Sequence, residues 1–117
     1  MSLREATAAL TAPGAPFEME ACLVRGQRLR CWKNVPPTLR ALVESLPRWG
    51  DRVYLVYEDE RVTYAQAYAQ VCALARWLVD DAGVKKGDRV AIAMRNYPEW
   101  VIAFWASTRT CCISIRK

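Results

Sequence analysis

The sequence predicts an α/β fold in which a β-hairpin and amphipathic helices accompany the first strands of a mostly parallel sheet. Residues 53–57 are apolar or aromatic throughout, and an acidic stretch separates them from Val62, which is typical of a hairpin. Residues 63–83 then change to a helical period. The short apolar run at residues 90–94 precedes a further helix and a second apolar run, which is the order of a strand–helix–strand unit. With 117 residues, 53% of them hydrophobic, the chain is long enough for one domain.

The first 50 residues divide into two predicted segments. Residues 1–16 end in alternating proline and glycine without a sustained period, which predicts a flexible leader. Residues 17–50 are predicted to form an amino-terminal helical segment, with a short apolar turn at residues 22–24 and then a helix capped by Thr38 after a double proline. The predicted apolar face and end of this helix are Leu39, Leu42, Val43 and Leu46, followed by Pro47 and Gly50.

The hairpin and the long helix come next. Residues 51–64 predict two short strands around an acidic turn at residues 58–60, and no Asn-Gly or Asp-Gly fixes the register. Thr63 and Gln66 form a Thr-x-x-Gln capping box that starts the helix, because each side chain can pair with the other residue's backbone N–H. Its predicted apolar face and left-handed end are Ala67, Val71, Leu74, Ala75, Leu78 and Gly83.

Two lysines and a glycine at residues 85–87 raise the question of a phosphate-binding loop. Such a loop follows a strand and opens a helix, so that free N–H groups at the helix amino terminus point at the anion. Here the loop follows a helix and precedes the apolar run at residues 90–94. The order therefore predicts that Lys85, Lys86, Gly87 and Asp88 are solvated turn residues.

Residues 90–94 predict a central parallel strand covered on both faces. The next helix is predicted to start at Asn96 or Tyr97, and Pro98 and Glu99 suit its first turn. After a break near Arg109, residues 111–115 predict a second parallel strand whose open edge favours self-association or a missing continuation. The predicted buried body of the helix consists of Trp100, Val101, Phe104 and Trp105.

The charge and cysteine content of the chain limit the classes of function that it can have. The net charge of +5 is spread along the chain, and no basic face with interleaved aromatics is evident, so the prediction is no nucleic-acid binding. Five cysteines without any histidine follow no metal-ligand spacing and predict reduced, mostly buried thiols. No signal peptide or transmembrane segment is recognised, so an intracellular location is expected, with cytoplasm and peroxisome left open.

No residue is predicted to be catalytic, to bind a cofactor or to bind a metal. Asp80 and Asp81 are adjacent and point to different sides of a helix, which makes a poor metal or acid/base pair. Cys111 and Cys112 could be reactive beside Arg109, but buried strand positions are the favoured interpretation. The tyrosines are predicted to pack in the sheet and helices: Tyr54, Tyr57, Tyr64, Tyr68 and Tyr97.

Residues 51–107 resemble the amino-terminal part of adenylate-forming, AMP-binding enzymes of the acyl-CoA synthetase and CoA ligase type. The stretch "VTYAQA" is similar to that family's first core motif, and "GVKKGDRVAI" followed by "RNYPEWVIAFWA" is typical of its CoA ligases. The resemblance implies that residues 51–117 are a truncated amino-terminal part of the synthetase domain, an incomplete scaffold of hairpin, helices and first sheet strands. The tail "TRTCCISIRK" departs from the family pattern.

The resemblance also implies an activity for the full-length family. Such an enzyme, a ligase of fatty acid metabolism and related pathways, activates a carboxylic acid with ATP and Mg²⁺ to an acyl-adenylate and transfers the acyl group to CoA. The family's Pro-Lys loop, adenine and ribose contacts and catalytic lysine would all lie beyond Lys117. The chain alone is therefore expected to be inactive and to bind no cofactor. Two alternatives stay open: an interaction module that pairs with a full-length synthetase, and a small basic nucleic-acid binder.

Overall fold

The computed structural model describes residues 2–111, which belong to two compact units that divide between Pro36 and Pro37. The first unit contains helix α1 (Leu3–Thr11) and the antiparallel strands β1 (Met19–Val24) and β2 (Gln27–Trp32). The predicted division of the chain into segments 1–16, 17–50 and 51–117 remains a prediction, because the structure does not test these domain boundaries. The compact units divide at the double proline instead, where the residue before a proline is confined to extended conformations.

The first unit has more regular structure than the sequence predicted. Helix α1 lies within the predicted irregular leader, and a Ser2–Glu5 capping box that the sequence analysis missed starts it. None of its residues is buried. Strands β1 and β2 replace the predicted apolar turn, and they are joined at Arg25 and Gly26, which have φ of 51° and 82°. Positive φ at both positions matches a type I′ turn, whose twist suits a two-residue hairpin.

A disulfide crosses this first hairpin. Cys22 and Cys31 are bonded, with their Cα atoms 6.2 Å apart, so the prediction that all cysteines are reduced is wrong for these two. The reason is the missed hairpin, because here the pairing of β1 with β2 brings these residues, nine apart in sequence, to this distance. Cys72 is a free thiol.

The second unit contains helices and one further hairpin. Helix α2 (Leu39–Glu44) begins at Thr38, whose hydroxyl accepts a hydrogen bond from the Ala41 N–H, and a 3₁₀ turn follows at Leu46–Trp49. Strands β3 (Val53–Tyr57) and β4 (Glu60–Thr63) pair antiparallel, with an irregularity between Val53 and Leu55. The sequence predictions of the Thr38 cap and of this hairpin are confirmed.

Helices α3 (Tyr64–Asp80) and α4 (Pro98–Cys111) pack against each other in the second unit. The predicted capping box is present: Thr63 N–H donates to Gln66 Oε1 at 2.9 Å, and Gln66 N–H donates to Thr63 Oγ1 at 3.2 Å. Gly83 follows the helix with φ of 68°, as predicted for its left-handed end. Residues buried in the core of this unit are Val43, Leu46, Val62, Ala67, Val71, Ala75, Ile102 and Ala106.

The structure corrects the predicted burial and length of α4. The helix buries Ile102 and Ala106, whereas the predicted body of Trp100, Val101, Phe104 and Trp105 is only half-buried. Ile102 and Ala106 belong to the same buried cluster as Ala67, Val71 and Ala75 of α3, while Trp105 packs at the edge of that cluster. The helix continues through Arg109 to Cys111, so the predicted break and strand at residue 111 are wrong. Residues 112–115 of that predicted strand lie outside the described residues.

The predicted parallel strand at residues 90–94 is also absent. Both sheets formed by residues 2–111 are two-stranded and antiparallel, and residues 90–94 have neither helical nor strand structure. Val90 and Met94 are 37% and 47% exposed, so this apolar run is not a buried central strand. A strand is stabilised by hydrogen bonds to a neighbour, and the described part of the chain gives this run none. No helix in that part is long and apolar enough to cross a membrane.

We expect the second unit to depend on the closely packed face of α3. Ala67→Asp places an uncompensated charge at a fully buried position and should destabilise the fold by more than about 3 kcal/mol. Ala69→Asp, the same substitution at an exposed position on the same helix, should change stability by less than about 1 kcal/mol. Urea unfolding followed by circular dichroism measures both. Equal losses in the two variants would contradict this packing.

Candidate functional site

The lysine-glycine loop forms a closed turn at the surface. Lys85 N–H donates to Asp88 Oδ2 at 2.7 Å, and Asp88 N–H donates to the Lys85 carbonyl at 3.1 Å. Gly87 has φ of 97°, a conformation that favours glycine. All four residues of the turn are exposed, and the next helix, α4, begins only at Pro98. The predicted turn is confirmed, and its N–H groups are not aligned at a helix amino terminus.

An apolar groove lies beside the unpaired run at residues 90–94. Met94, Tyr97 and Pro98 line it together with Tyr57 of β3, and its volume is about 420 Å³. The rings of Tyr57 and Tyr97 meet edge to face with centroids 5.3 Å apart. The carboxylates of Glu60 and Glu99 lie at its border. The groove can therefore take an apolar side chain, but it offers no nucleophile or general base beyond these two carboxylates.

A second groove, lined by arginines, lies among α2, α3 and α4. Arg40, Arg76 and Arg109 surround a volume of about 420 Å³ with the thiol of Cys72. Arg109 Nη1 donates to Cys72 Sγ at 2.7 Å, and Arg40 Nε pairs with Glu44 at 2.8 Å. The hydrogen bond from Arg40 lowers the pKa of Glu44. Sequence reasoning placed Arg109 near Cys111 and Cys112 and missed Cys72, since nothing in the sequence pairs residues 37 positions apart.

Tyr68 lies under the Arg109 guanidinium, which is 5.7 Å from the ring centroid. Burial raises the pKa of the Tyr68 hydroxyl above its ordinary value of 10.0, and the neighbouring Cys72 raises it further, while Arg109 acts in the opposite direction. This hydroxyl is neutral at physiological pH even with its ordinary pKa, so the upward shift gives it no acid or base role there. It therefore acts here as a packed hydrogen-bonding group.

Tyr54, Tyr57 and Tyr64 pack as predicted, whereas Tyr97 is 39% exposed and lies outside the helices and strands. Tyr54 and Tyr64 have ring centroids 4.4 Å apart, and Tyr64 also contacts Trp49 at 6.0 Å. The Trp105 indole N–H donates to the Tyr54 hydroxyl at 2.8 Å, which joins α4 to β3. These contacts pack half-buried rings against one another, with Trp49 at the exposed edge of the group.

The acidic residues in the described part of the chain are not arranged to share a metal ion. Asp80 is the last residue of α3 and Asp81 its exposed C-cap, in agreement with a solvated helix end. Among the described residues, no group of three histidine, cysteine, aspartate or glutamate side chains converges as a metal site requires. The donor set of the described residues does not fit Mg²⁺, the metal that the sequence resemblance implies, so we assign no step through the metal to these residues.

Residues 42–115 match the family of AMP-binding enzymes, and the chain therefore belongs to that family. The matched stretch covers more than half of the 117 residues and includes α3, α4 and the hairpin between α2 and α3. The sequence-based recognition of an AMP-binding family member is confirmed.

Curated relatives include both short-chain and longer-chain enzymes. The chain is 40% identical to an acetyl-coenzyme A synthetase of Mesorhizobium japonicum over 55% of its length and 11% of the relative's. It is 47% identical to one from Sinorhizobium medicae over 51% of its length and 9% of the relative's. A medium/long-chain-fatty-acid–CoA/3-oxocholest-4-en-26-oate–CoA ligase of Mycobacterium marinum is 40% identical over 60% of this chain and 12% of that enzyme.

The chain thus spans about a tenth of the length of the curated relatives that it matches. No solved structure matches it significantly.

The bond between Trp105 and Tyr54 gives a testable stability effect. Tyr54→Phe leaves the half-buried indole N–H without its acceptor and should destabilise the second unit by about 1 kcal/mol. Tyr97→Phe removes a hydroxyl from an exposed ring and is the matched control, with a change below about 0.5 kcal/mol. Denaturant unfolding compares the two, and equal effects would show that the bond contributes nothing.

Stability should also fall at alkaline pH because of Tyr68. Its folded pKa is raised above 10.0, so the unfolded chain loses the phenolic proton first, and the folded state is increasingly disfavoured as pH rises past 10.0. Tyr68→Phe should remove part of the loss measured between pH 8 and pH 11. An unchanged pH profile in the variant would contradict the burial of this hydroxyl.

Proposed function

We propose that the chain supplies the amino-terminal scaffold of an ATP-dependent acid–CoA ligase and does not catalyse the reaction by itself. The observation that carries this proposal is the coincidence of the family match with one structural unit. Residues 42–115 match AMP-binding enzymes, and every buried core residue in the described part of the chain falls between Val43 and Ala106.

The proposed reaction has two steps. A carboxylate oxygen of the acid attacks the α-phosphorus of ATP, and pyrophosphate leaves, giving an acyl-adenylate. The CoA thiol then attacks the acyl carbonyl carbon, and AMP leaves. The relatives' names support a carboxylic acid as substrate and CoA as acceptor. They differ in the size of the acid, so we propose the class alone.

This chain's own part in the reaction would be structural. The lysines of the 85–88 turn are exposed, and the described acidic residues do not converge, so neither set offers a cradle for the triphosphate and its metal. The residues that hold ATP and the acid would come from a complementary part of the enzyme. What this chain offers that part is its packed α3–α4 core and the unpaired apolar run beside it.

We further propose that residues 90–94 become a parallel strand when that complementary part is present. The run Val90, Ala91, Ile92, Ala93 and Met94 is apolar throughout, as in strands buried on both faces, yet Val90 and Met94 are exposed. An exposed apolar run that belongs to no sheet can pair with a neighbouring strand and bury its side chains there. The same exposure supports the alternative function, an interaction module that pairs with a full-length synthetase.

A split-enzyme assay tests the scaffold proposal. The chain is mixed with the Sinorhizobium medicae synthetase from which the matching segment has been deleted, and pyrophosphate release from ATP and acetate is measured. We expect no release from either part alone and restored release from the mixture. Release by the chain alone would overturn the proposed inactivity, and an inactive mixture of two folded, associated parts would overturn the scaffold role.

Matched variants locate the contact in this assay. Val90→Asp should abolish the restored activity because it places a charge in the proposed strand. Val56→Asp, the same change at a more exposed position of β3, should retain most of it. Saturable binding of the chain to an intact synthetase, without restoration of the split enzyme, would favour the interaction module.

A further inference from the structure

The first hairpin presents an exposed face that the family match does not account for. Residues paired across β1 and β2 share a face, so the register assigns six residues to what we call the outer face of the hairpin. The family match begins at residue 42, beyond this hairpin. The outer face consists of Met19, Ala21, Leu23, Arg28, Arg30 and Trp32.

The two faces of the hairpin differ in exposure. On the outer face, Leu23 is 66% exposed and Trp32 is 53% exposed, and both arginines are exposed. The opposite face carries the Cys22–Cys31 disulfide, and both of its cysteines are half-buried. The opposite face also exposes Leu29, by 47%, but it carries no cationic residue, so the two arginines lie beside Trp32 on the outer face alone.

The charge of the outer face is positive. Arg28 and Arg30 lie between Leu23 and Trp32, and Arg25 stands at the adjoining turn. The two ion pairs recorded among residues 2–111 are Lys33–Glu18 and Arg40–Glu44, and neither uses these arginines. Arg30 instead directs a guanidinium nitrogen at the Met19 sulfur, 3.5 Å away. No acidic residue lies on the outer face.

We propose that the outer face docks onto the surface of a membrane containing anionic lipids. Guanidinium groups bind lipid phosphates, and a tryptophan beside them suits the boundary between head groups and acyl chains. The exposure of Leu23 favours a membrane over a nucleic acid as the partner. A highly exposed aliphatic side chain becomes buried in a lipid interface, whereas a phosphate backbone would leave it in water.

Two features of the hairpin fix the conformation of the outer face before any docking. The turn at Arg25 and Gly26 matches the strand twist, and the disulfide fixes the register on the opposite side. A preorganised face loses little conformational freedom on docking. Reduction of the disulfide should therefore weaken membrane binding.

Vesicle co-sedimentation tests the proposal with the full 117-residue chain. Vesicles of phosphatidylcholine with about a third phosphatidylglycerol, a content set to exceed the charge threshold for basic segments, are compared with phosphatidylcholine alone. We expect binding to the anionic vesicles that weakens at least about tenfold when salt is raised to screen the charges, and little binding to neutral ones. Absence of binding to anionic vesicles at low salt overturns the proposal.

Two matched pairs of variants identify the face. The double variant Arg28→Glu with Arg30→Glu should lose binding at least about tenfold, while Lys85→Glu with Lys86→Glu makes an equal charge change on the exposed turn of the second unit and should lose far less. Trp32→Ala should weaken binding and Trp77→Ala should not, although each tryptophan is 53% exposed. Intact mass confirms that the variants keep the disulfide.

Equal losses within each matched pair would mean that net charge or general hydrophobicity drives binding, which overturns the assignment to this face. Binding of polyuridylate that depends on Arg28 and Arg30, with no vesicle binding, would overturn it in favour of a nucleic acid. The split-enzyme assay is independent of these outcomes, because the hairpin lies outside the matched residues.

Discussion

The close packing of α3 on α4 is the contact on which the second unit depends. Its buried positions are largely small, with Ala67 and Ala75 on α3 and Ala106 on α4, so the two helices can approach closely around Val71 and Ile102. A charge introduced at such a buried position would lose its hydration. The remaining core residues come from α2, the 3₁₀ turn and β4, which pack around this helix pair.

Specific side-chain hydrogen bonds join the second unit's hairpin to this helix pair. Thr63 ends β4 and caps α3, so one residue joins the sheet to the helix, and Trp105 binds Tyr54 across the unit. Between the helices, however, residues 81–97 contain turns and irregular backbone only. The apolar run at residues 90–94 therefore lies in the irregular connection between α3 and α4 and belongs to neither sheet. The chain belongs to the AMP-binding family and spans about a tenth of its curated relatives, and this arrangement supports the scaffold role that we propose for it.

In the second unit, sequence reasoning succeeded at the local interactions, although it missed the equally local Ser2–Glu5 cap of α1. The caps at Thr38 and Thr63, the left-handed Gly83 and the placement of Pro98 each depend on contacts within a few residues, and all were predictable. So was the surface turn at residues 85–88, because its position relative to helices is visible in the order of elements.

It failed at one local turn of unusual composition and wherever residues distant in sequence decide. The first hairpin has Arg-Gly in place of Asn-Gly at its turn, so the strands and the disulfide between them went unrecognised. The arginine-lined groove is formed by three helices, and within it Arg109 contacts Cys72. The spacing of these residues in the sequence does not predict that they meet. The apolar run at residues 90–94 has the composition of a buried strand, but a strand also needs a neighbour, and composition does not supply one.

The central claim is that a preformed α3–α4 core leaves residues 90–94 open until a complementary part of the enzyme pairs with them. Hydrogen exchange measured by mass spectrometry tests it most directly, on the chain alone and with the complementary part bound. The account predicts strong protection of α3 and α4 in both samples, and protection of residues 90–94 in the complex only. Protected amides at residues 90–94 in the isolated, monomeric chain, or unprotected ones in the active complex, would contradict it.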